Sequence, residues 1–338
     1  MTDHTTASPL VEVIRGDFIE SVHFGHAVVA DASGQVIAAW GDPDAIILPR
    51  SSCKMIQALP LIESGAADAL GLTAEHLALS CASHQGAEIH RARVSRWLGD
   101  LGMSDDDLRC GPQIPNDATE RHRLRDAGEH ACQLHNNCSG KHSGFLSLKS
   151  HIGGNAEYVE PSHPVQIAVC AAFEEMTGET SPGYGIDGCS APNFACSIAG
   201  LARAAARMAQ PSGLGASREQ AAERLVAAMM AHPELVAGEG RACTALMRAL
   251  PGVAAVKTGA EGVFVGILPG KGWGIAVKIS DGATRAAELA ISALLVQAGV
   301  ADPADPEIAR YLSPRVLNRR DIDTGYMRRH AGFAAELL

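Results

Sequence analysis

Residues 50–60 read Arg-Ser-Ser-Cys-Lys-Met-Ile-Gln-Ala-Leu-Pro, and this stretch decides how the chain is interpreted. It opens an apolar, helix-like segment in which Ser51 and Lys54 stand three residues apart. At a helix start, that spacing places the hydroxyl and the amine on one face, one turn apart. A lysine that is desolvated and set near a second cation loses its proton near neutral pH and can activate a hydroxyl. We therefore expect Ser51 to be a nucleophile and Lys54 to be its general base.

A second motif, Lys257-Thr258-Gly259, lies on a predicted strand near the other end of the chain. Its lysine supplies the second cation, and its glycine is small enough to let a substrate approach the backbone. A Ser-x-x-Lys motif followed later by Lys-Thr-Gly is typical of serine acyl-transfer enzymes of the penicillin-recognising type. Together the two motifs predict a serine-dependent amide hydrolase.

The order of the predicted elements indicates the fold class. Strand patterns occur near both ends of the chain and helical patterns lie mainly between them. This order predicts an α/β (α+β) fold, in which strands from both termini form one antiparallel sheet that is flanked by helices and carries an inserted, mainly helical lobe. The predicted strands are 10–16, 26–31, 35–41, 253–258, 262–268 and 273–280, and the predicted helices are 87–101, 164–177, 195–209, 218–231, 241–249 and 284–299.

The chain is expected to form a single domain, residues 1–338, made of two lobes. The sheet lobe is predicted at approximately 10–60 and 251–338, and the helical lobe at approximately 61–250. Sites tend to lie in the cleft between two such lobes. Within the helical segment that follows Ser51, Pro60 should break or end the helix.

Composition restricts the function classes. The chain has 338 residues, of which 46% are hydrophobic and 4% aromatic, and a formal charge of −10. The negative charge and the scarcity of aromatic residues argue against nucleic acids and anionic membranes as partners. The N-terminal residues show no signal-peptide pattern, and no apolar run reaches membrane-spanning length. Nine cysteines without an export signal predict reduced thiols and a cytoplasmic location.

Two polar segments in the middle of the chain are candidates for site residues. Residues 79–86 place Ser83 and His84 in a polar turn, where the Ser83 hydroxyl could relay protons or cap the next helix. The segment 135–144, His-Asn-Asn-Cys-Ser-Gly-Lys-His-Ser-Gly, has the composition of a site loop. Asn136 is one of the hydrogen-bonding groups of this segment, and we expect it to bind substrate.

The segment 183–193 is a third candidate, because it offers Asp187 for a substrate ammonium group and Cys189 for a metal. Cys189 and Cys138 could share a metal ion with a nitrogen from Lys141, His135 or His142. No Cys-x-x-Cys or His-x-x-x-His spacing supports zinc independently.

Five separated blocks carry a resemblance to a known family. They are RSSCKMIQALP (50–60), LSCASHQG (79–86), HNNCSGKHSG (135–144), GIDGCSAPN (185–193) and KTGAEG (257–262). In this order they resemble the bacterial type II-like asparaginases first described from rhizobia. That family is similar in fold to serine β-lactamases and glutaminases.

The resemblance implies hydrolysis of L-asparagine to L-aspartate and ammonia by a homodimer. It implies Ser51 as nucleophile, Lys54 as base, and Ser83 with Lys257 as a second Ser–Lys pair. It also implies a zinc ion, Zn²⁺, near the substrate pocket. The implied metal ligands are Cys138, Lys141 and Cys189, and the expected substrate-binding residues are Arg50, His84, Asn136, Asp187 and Gly259.

Three alternatives stay open from the sequence. The chain could be a serine esterase or peptidase of the penicillin-recognising type, which a fluorescent penicillin would acylate. It could be a zinc-dependent amidase that uses Cys138, Cys189 and a nitrogen ligand. It could also be an amino-acid-binding protein without turnover, although intact Ser-x-x-Lys and Lys-Thr-Gly motifs argue against that reading.

Overall fold

The computed structural model describes residues 6–336. Its main sheet has eight strands, all paired antiparallel. The strands of the described chain, including four that lie outside the main sheet, are β1 (Ser8–Arg15), β2 (Phe18–Asp31), β3 (Val36–Trp40), β4 (Ile46–Ile47), β5 (Tyr184–Ile186), β6 (Pro192–Phe194), β7 (Cys196–Ser197), β8 (Ala255–Gly259), β9 (Val263–Leu268), β10 (Trp273–Ile279), β11 (Arg315–Leu317) and β12 (Asp323–Arg329).

The order of strands in space joins the two ends of the chain. The main sheet runs β11-β12-β1-β2-β10-β9-β8, and β3 also pairs with β2, while β4–β7 and β5–β6 form two small separate sheets. Strands from the start of the chain therefore lie between strands from its end. The predicted fold class, with one antiparallel sheet built from both termini and helices between, is confirmed.

Most of the chain between the two groups of strands is helical. A 3-10 helix at Arg50–Cys53 leads into the first α-helix. The α-helices are α1 (Lys54–Gln57), α2 (Leu59–Glu63), α3 (Ala66–Ala69), α4 (Ala74–Ser80), α5 (Glu88–Asp100), α6 (Ala118–Ala127), α7 (Ser139–Ile152), α8 (Pro164–Thr177), α9 (Ile198–Ala209), α10 (Ala216–Ala231), α11 (Pro233–Val236), α12 (Ala242–Ala249), α13 (Thr284–Gln297) and α14 (Pro306–Leu312).

Two helices cover opposite faces of the central strands. Helix α9 packs on β2, β9 and β10, and α13 packs on β1, β9 and β10. Gly274 on β10 lets α9 approach, since a Cβ at this position would lie 2.1 Å from the Ala202 carbonyl oxygen. The sheet is thus buried on both sides, which is why its central strands are almost continuously apolar.

The predicted division into lobes stays a prediction. Helix α9 falls inside the segment assigned to the helical lobe, yet it packs on the sheet. A division of the domain into two lobes would have to assign α9 to the same lobe as the sheet. None of the helices in residues 6–336 is long and apolar enough to cross a membrane.

One local prediction is confirmed, and the start of one predicted helix is wrong. The helix after Ser51 is broken, with α1 ending at Gln57 and Pro60 in the first turn of α2. Helix α10 begins at Ala216, two residues before the predicted start at 218, and the Ser217 hydroxyl bonds the Glu63 carbonyl.

The polar segment 135–144 is only partly a loop. From Ser139 it forms the first turns of α7, which is buried despite its serines. The hydroxyl of Ser143 donates to the carbonyl of Ser139, and that of Ser147 donates to Ser143. Because these hydroxyls are satisfied within the helix, α7 can lie in the protein interior, which composition alone does not reveal.

Candidate active site

Ser51 and Lys54 lie where the chain leaves the sheet and turns into its first helix. Ser51 is partly exposed within the 3-10 helix, whereas Lys54 at the start of α1 is 1% exposed. Among the described residues, the Ser51 hydroxyl has no hydrogen-bond partner, so it is not held by Lys54 in this state. The predicted pair is thus close in sequence and on one helical segment, without a direct hydrogen bond.

The Lys54 amine bonds instead to groups from two other parts of the chain. Its Nζ lies 3.0 Å from Ser83 Oγ and 3.0 Å from Cys138 Sγ. It also donates to the Ala82 carbonyl at 2.5 Å. Lys54 therefore joins the segment after α4 to the residue that precedes α7, at the centre of the site.

Lys257 approaches the same hydroxyl from strand β8. Its Nζ lies 2.8 Å from Ser83 Oγ and 2.7 Å from the Thr258 carbonyl. Burial lowers the pKa of Lys257 to about 7, and the nearby charge of Lys54 acts in the same direction. At neutral pH Lys257 is therefore often an uncharged amine that can accept a proton from Ser83.

Ser83 itself is placed by a long-range contact. Its backbone N–H donates to the Val236 carbonyl at 2.9 Å, and its side chain is 6% exposed. It does not cap the next helix, because α5 begins at Glu88 with Ala87 in the capping position. The Ser83 hydroxyl is free to connect the two lysines and can carry a proton between them.

Gly259 brings strand β8 against the turn that carries Ser51. A Cβ at this position would lie 2.7 Å from the Pro49 carbonyl oxygen and 3.1 Å from the Ser52 nitrogen. Lys257 is two residues away, on the same face of the strand. The Lys-Thr-Gly motif thus places the Lys257 amine in the site and, through Gly259, allows strand β8 to pack closely on the turn that carries Ser51.

Arg50 and Asp187 form an ion pair beside Ser51. The Arg50 guanidinium donates to Asp187 Oδ1 from Nη2 at 2.8 Å and from Nε at 3.2 Å. Both side chains keep some solvent contact, with 24% and 15% exposed. The pair therefore offers a cation and an anion together, the two charges that an α-amino acid needs for recognition.

Cys138, Cys189 and Lys141 form a buried cluster next to Lys54. The Lys141 amine lies 3.1 Å from Cys189 Sγ. The neighbouring Cys138 thiol, together with the charge of Lys141, holds the pKa of the Cys189 thiol well below its usual value. The same contact with Cys189 raises the pKa of Cys138. Burial opposes the charge of Lys141, but the two sulfur atoms outweigh it and raise its pKa.

His142 also belongs to the neighbourhood of this cluster. The Arg109 backbone N–H donates to Tyr158 Oη at 2.8 Å, which leaves the Tyr158 hydroxyl proton for His142 Nδ1, also at 2.8 Å. The neutral ring then carries its own proton on Nε2, a buried atom without a hydrogen-bond partner in the described part of the chain. A protonated Nε2 is a donor, so in this tautomer His142 is not a metal ligand.

Two predicted substrate-binding residues have their polar atoms engaged elsewhere. His84 Nδ1 accepts from the Gly86 N–H, and its Nε2 lies 3.0 Å from Ser139 Oγ. Asn136 donates to the carbonyls of Cys110 and Gly111 and accepts from the Cys138 N–H. Both hold the site loops in place, and direct substrate contact by either stays a prediction.

The residues fit a zinc ion in part. Within residues 6–336, no group of three or more His, Cys, Asp or Glu side chains is placed to hold a metal. Two thiols and an amine remain, a donor set that suits Zn²⁺ once the thiols and Lys141 have lost their protons. The pairing of a Lys141 ammonium with a Cys189 thiolate balances the charge of the cluster without a metal.

Sequence reasoning missed Asn193 as a site residue. It lies on β6, is 2% exposed, and its Oδ1 accepts the Arg50 backbone N–H at 3.1 Å. It stands at the end of the block 185–193, but an asparagine after a proline is an ordinary turn signal. Only the fold brings it to Arg50.

Comparison with solved structures shows remote similarity. A β-lactamase from Mycobacterium bovis is 15% identical, with 80% of this chain and 93% of that chain covered and a TM-score of 0.40. The native form of Mglu is 14% identical, with 78% and 61% covered and a TM-score of 0.42. Similarity this remote carries no argument about the chemistry. A comparison with curated proteins gave no match.

The match to a protein family is far more extensive. The family model described as L-asparaginase II matches residues 11–329, nearly the whole chain. All five sequence blocks and every residue of the site described above fall within that range. The chain belongs to the L-asparaginase II family and is an amidohydrolase that acts on asparagine.

Proposed function

We propose that this enzyme hydrolyses L-asparagine through an ester formed on Ser51, with Lys54, Ser83 and Lys257 moving the protons. The observation that carries the proposal is the placement of Ser83 Oγ between two buried amines, at 3.0 Å and 2.8 Å. A hydroxyl in that position can pass a proton from one lysine to the other. The arrangement supplies acid–base chemistry without a histidine.

Substrate binding uses the ion pair beside the nucleophile. The α-carboxylate of asparagine binds the Arg50 guanidinium, and the α-ammonium binds Asp187. Arg50 and Asp187 already pair with each other in the free enzyme, so the two charges of the substrate extend an existing ion pair. This docking leaves the side-chain amide near the turn that carries Ser51.

Proton transfer then prepares the nucleophile. An uncharged Lys257 accepts the Ser83 proton while Ser83 takes one from Lys54, which leaves Lys54 neutral. Lys54 swings from Ser83 towards Ser51 and accepts its proton as Oγ attacks the amide carbon. Catalytic hydrogen bonds are often absent in free enzymes and form with substrate, so the unpartnered Ser51 hydroxyl is compatible with this role.

Collapse of the tetrahedral intermediate releases ammonia. The proton held by Lys54 passes to the leaving nitrogen, the carbon–nitrogen bond breaks, and an aspartyl ester remains on Ser51. A water molecule, deprotonated by the Lys54 amine, then attacks the ester carbon. The bond from that carbon to Ser51 Oγ breaks, the proton on Lys54 returns to Oγ, and aspartate leaves. Backbone N–H groups at the start of the 3-10 helix are the proposed donors to the oxyanion.

Zinc is a proposal of its own. Cys138, Cys189 and Lys141 are the residues that would hold it, after Lys141 loses a proton. A bound Zn²⁺ would supply a positive charge that organises the pocket near the substrate. In the proposed mechanism these three residues fix the loop of Asp187 and the position of Lys54, and the serine provides the nucleophile.

A second candidate follows from the same geometry: Ser83 could be the nucleophile. Ser83, unlike Ser51, already bonds the amine that would deprotonate it. Ser51 is favoured because it is partly exposed and adjacent to Arg50, whereas Ser83 is buried. The two candidates predict different modified residues.

The test is to trap the ester. The purified enzyme is mixed with L-asparagine, quenched in acid within the first turnover, and digested for mass spectrometry. We expect an aspartyl adduct on the peptide that contains Ser51. An adduct on the Ser83 peptide would establish Ser83 as the nucleophile. If the enzyme turns over but no adduct is found, even under conditions that slow hydrolysis of the ester, the result would argue for a metal-activated water.

The homodimer and the cytoplasmic location also stay proposals. Light scattering of the purified protein tests the dimer, and a mass equal to one chain would exclude it under those conditions. Fractionation of the host cell tests the location.

A further inference from the structure

The backbone immediately before Ser51 is in an unusual conformation. Arg50 has a φ of +54°, in the left-handed region that favours glycine. A residue with a side chain is destabilised there and stays only when its surroundings hold it. Because Ser51 is the next residue, any relaxation of Arg50 would turn the Ser51 main chain and its hydroxyl.

The Asn193 side chain binds the backbone at Arg50. The Arg50 N–H donates to Asn193 Oδ1 at 3.1 Å, and Asn193 is 2% exposed. The Asn193 amide nitrogen has no hydrogen-bond partner among residues 6–336. Within residues 6–336, the Asn193 side chain therefore makes one hydrogen bond, which is the bond from the Arg50 N–H.

The hairpin formed by β5 and β6 makes the attachment rigid. Asn193 is paired in register with Gly185 across the hairpin. The loop of the same hairpin carries Asp187, which binds the Arg50 guanidinium. Arg50 is therefore held at two points by one hairpin, with its main chain bound by Asn193 and its side chain by Asp187.

Strand β8 of the main sheet also packs closely against this turn. The close approach of Gly259 to the Pro49 carbonyl and the Ser52 nitrogen leaves little room for movement in that direction. The turn that carries Ser51 is thus clamped between strand β8 and the hairpin. On the side of the hairpin, the contact is the hydrogen bond between the Arg50 N–H and Asn193 Oδ1.

We propose that Asn193 is a positioning residue, which holds Arg50 in the left-handed conformation and thereby sets Ser51 for attack. The inference rests on the proposed role of Ser51. A purely structural role would be that Asn193 merely satisfies a buried N–H group, in which case its loss would lower stability and leave the turnover rate unchanged.

The experiment compares two substitutions. Asn193→Leu removes the acceptor and keeps a similar volume, whereas Asn193→Asp keeps an acceptor oxygen. We expect Asn193→Leu to lower kcat about 10-fold to 100-fold, because small misplacements of a reacting group cost that much. KM should change less than kcat, since substrate charges still meet Arg50 and Asp187. Asn193→Asp should recover most of the rate.

A second readout does not depend on activity. Hydrogen exchange of the Arg50 amide should become faster in Asn193→Leu and stay slow in Asn193→Asp. If the wild-type enzyme releases no ammonia from asparagine, the proposed function fails while amide exchange still tests the contact. If the wild type is active, a normal kcat in Asn193→Leu, a change in KM alone, or an equal loss in both variants overturns the positioning role.

Discussion

The hydroxyl of Ser83 lies 2.8 Å from the amine of Lys257, although the two residues are 174 positions apart in the chain. Lys54 completes the arrangement at 3.0 Å on the other side of the same oxygen. A proton can therefore cross from the helical segment to the sheet through one hydroxyl. The turnover rate should therefore depend on this contact, and substrate affinity should depend on the Arg50–Asp187 ion pair.

The rate should depend on the protonation of Lys257. Burial lowers its pKa to about 7, so the amine is charged below that pH and neutral above it. We expect kcat to rise with pH through about 7 and then level off. The measurement is kcat between pH 5 and pH 9 in constant ionic strength. A Lys257→Met variant should be slow, and its kcat should not rise with pH in this range. If kcat of the variant still rises through about pH 7, the titrating group is not Lys257.

Stability should follow the same group in a different pH window. The Lys257 pKa is lower in the folded protein than in the unfolded chain, where it is 10.5, so unfolding takes up a proton between about pH 7 and pH 10.5. Lys257 therefore makes the free energy of unfolding rise with pH across that window. Urea titrations of wild type and Lys257→Met at pH 7 and pH 9 measure the difference. An equal change with pH in both proteins would contradict the lowered pKa.

Removal of the Ser83 hydroxyl should break proton transfer while leaving Ser51 in place. We expect Ser83→Ala to lower kcat about 10²-fold to 10⁴-fold, the range for lost acid–base catalysis. Ser292→Ala is a matched control, because the hydroxyl of this buried serine donates to the Glu288 carbonyl within α13. Steady-state ammonia release compares the two. A loss in Ser292→Ala as large as in Ser83→Ala would point to a general packing defect.

The Arg50–Asp187 pair should determine substrate affinity. Asp187→Asn removes the anion that we assign to the substrate ammonium, and kcat/KM should fall about 10-fold to 100-fold, mainly through KM. Asp126→Asn provides the control, because its ion pair with Arg125 is exposed at the surface. Initial rates over a range of L-asparagine concentrations give the values. If Asp187→Asn lowers kcat and leaves KM unchanged, the residue acts in the chemical step instead.

The thiol cluster should affect stability and affinity more than maximal rate. We expect chelator treatment of the purified enzyme, or Cys189→Ser, to lower the unfolding temperature and raise KM while a measurable kcat remains. Cys170→Ser is the control, since Cys170 is a partly exposed thiol outside this cluster. Zinc content by mass spectrometry accompanies each assay. A complete loss of rate that zinc alone restores would support metal-activated water.

The close approach at Gly259 gives a test of geometry. A methyl group there must push the Pro49 carbonyl or the Ser52 nitrogen away, so Gly259→Ala should lower kcat about 100-fold by displacing Ser51. Gly270→Ala is the control, because a Cβ at Gly270 meets no atom within 4 Å. The measurement is kcat of both variants for L-asparagine. Unchanged turnover in Gly259→Ala would show that the turn tolerates the added methyl group.

The sequence was sufficient to predict the fold class and the types of residue in the site. Short apolar runs bounded by turn residues at both ends of the chain predicted the sheet, because such runs are typical of strands. Ser51, Lys54, Ser83 and Lys257 were selected by motif and family resemblance, and the last three lie in hydrogen-bonding contact. Their roles in catalysis stay predictions.

The remaining features depend on contacts that no local pattern records. Ser83 is placed by a hydrogen bond to the Val236 carbonyl, and Arg50 is held by Asn193, far away in the sequence. The segment from Ser139 looked like a loop because glycine and serine disfavour helices, but burial and internal hydroxyl bonds keep it helical. Tertiary packing, which overrides local propensity, accounts for each of these differences.

The most direct test of the central claim is ammonia release from L-asparagine by wild type, Ser51→Ala and Ser83→Ala. The control is the circular dichroism spectrum of each protein, which should be unchanged. We predict turnover in the wild type, none above background in Ser51→Ala, and slow turnover in Ser83→Ala. Turnover at the wild-type rate in Ser51→Ala would contradict the assignment of Ser51 as the nucleophile.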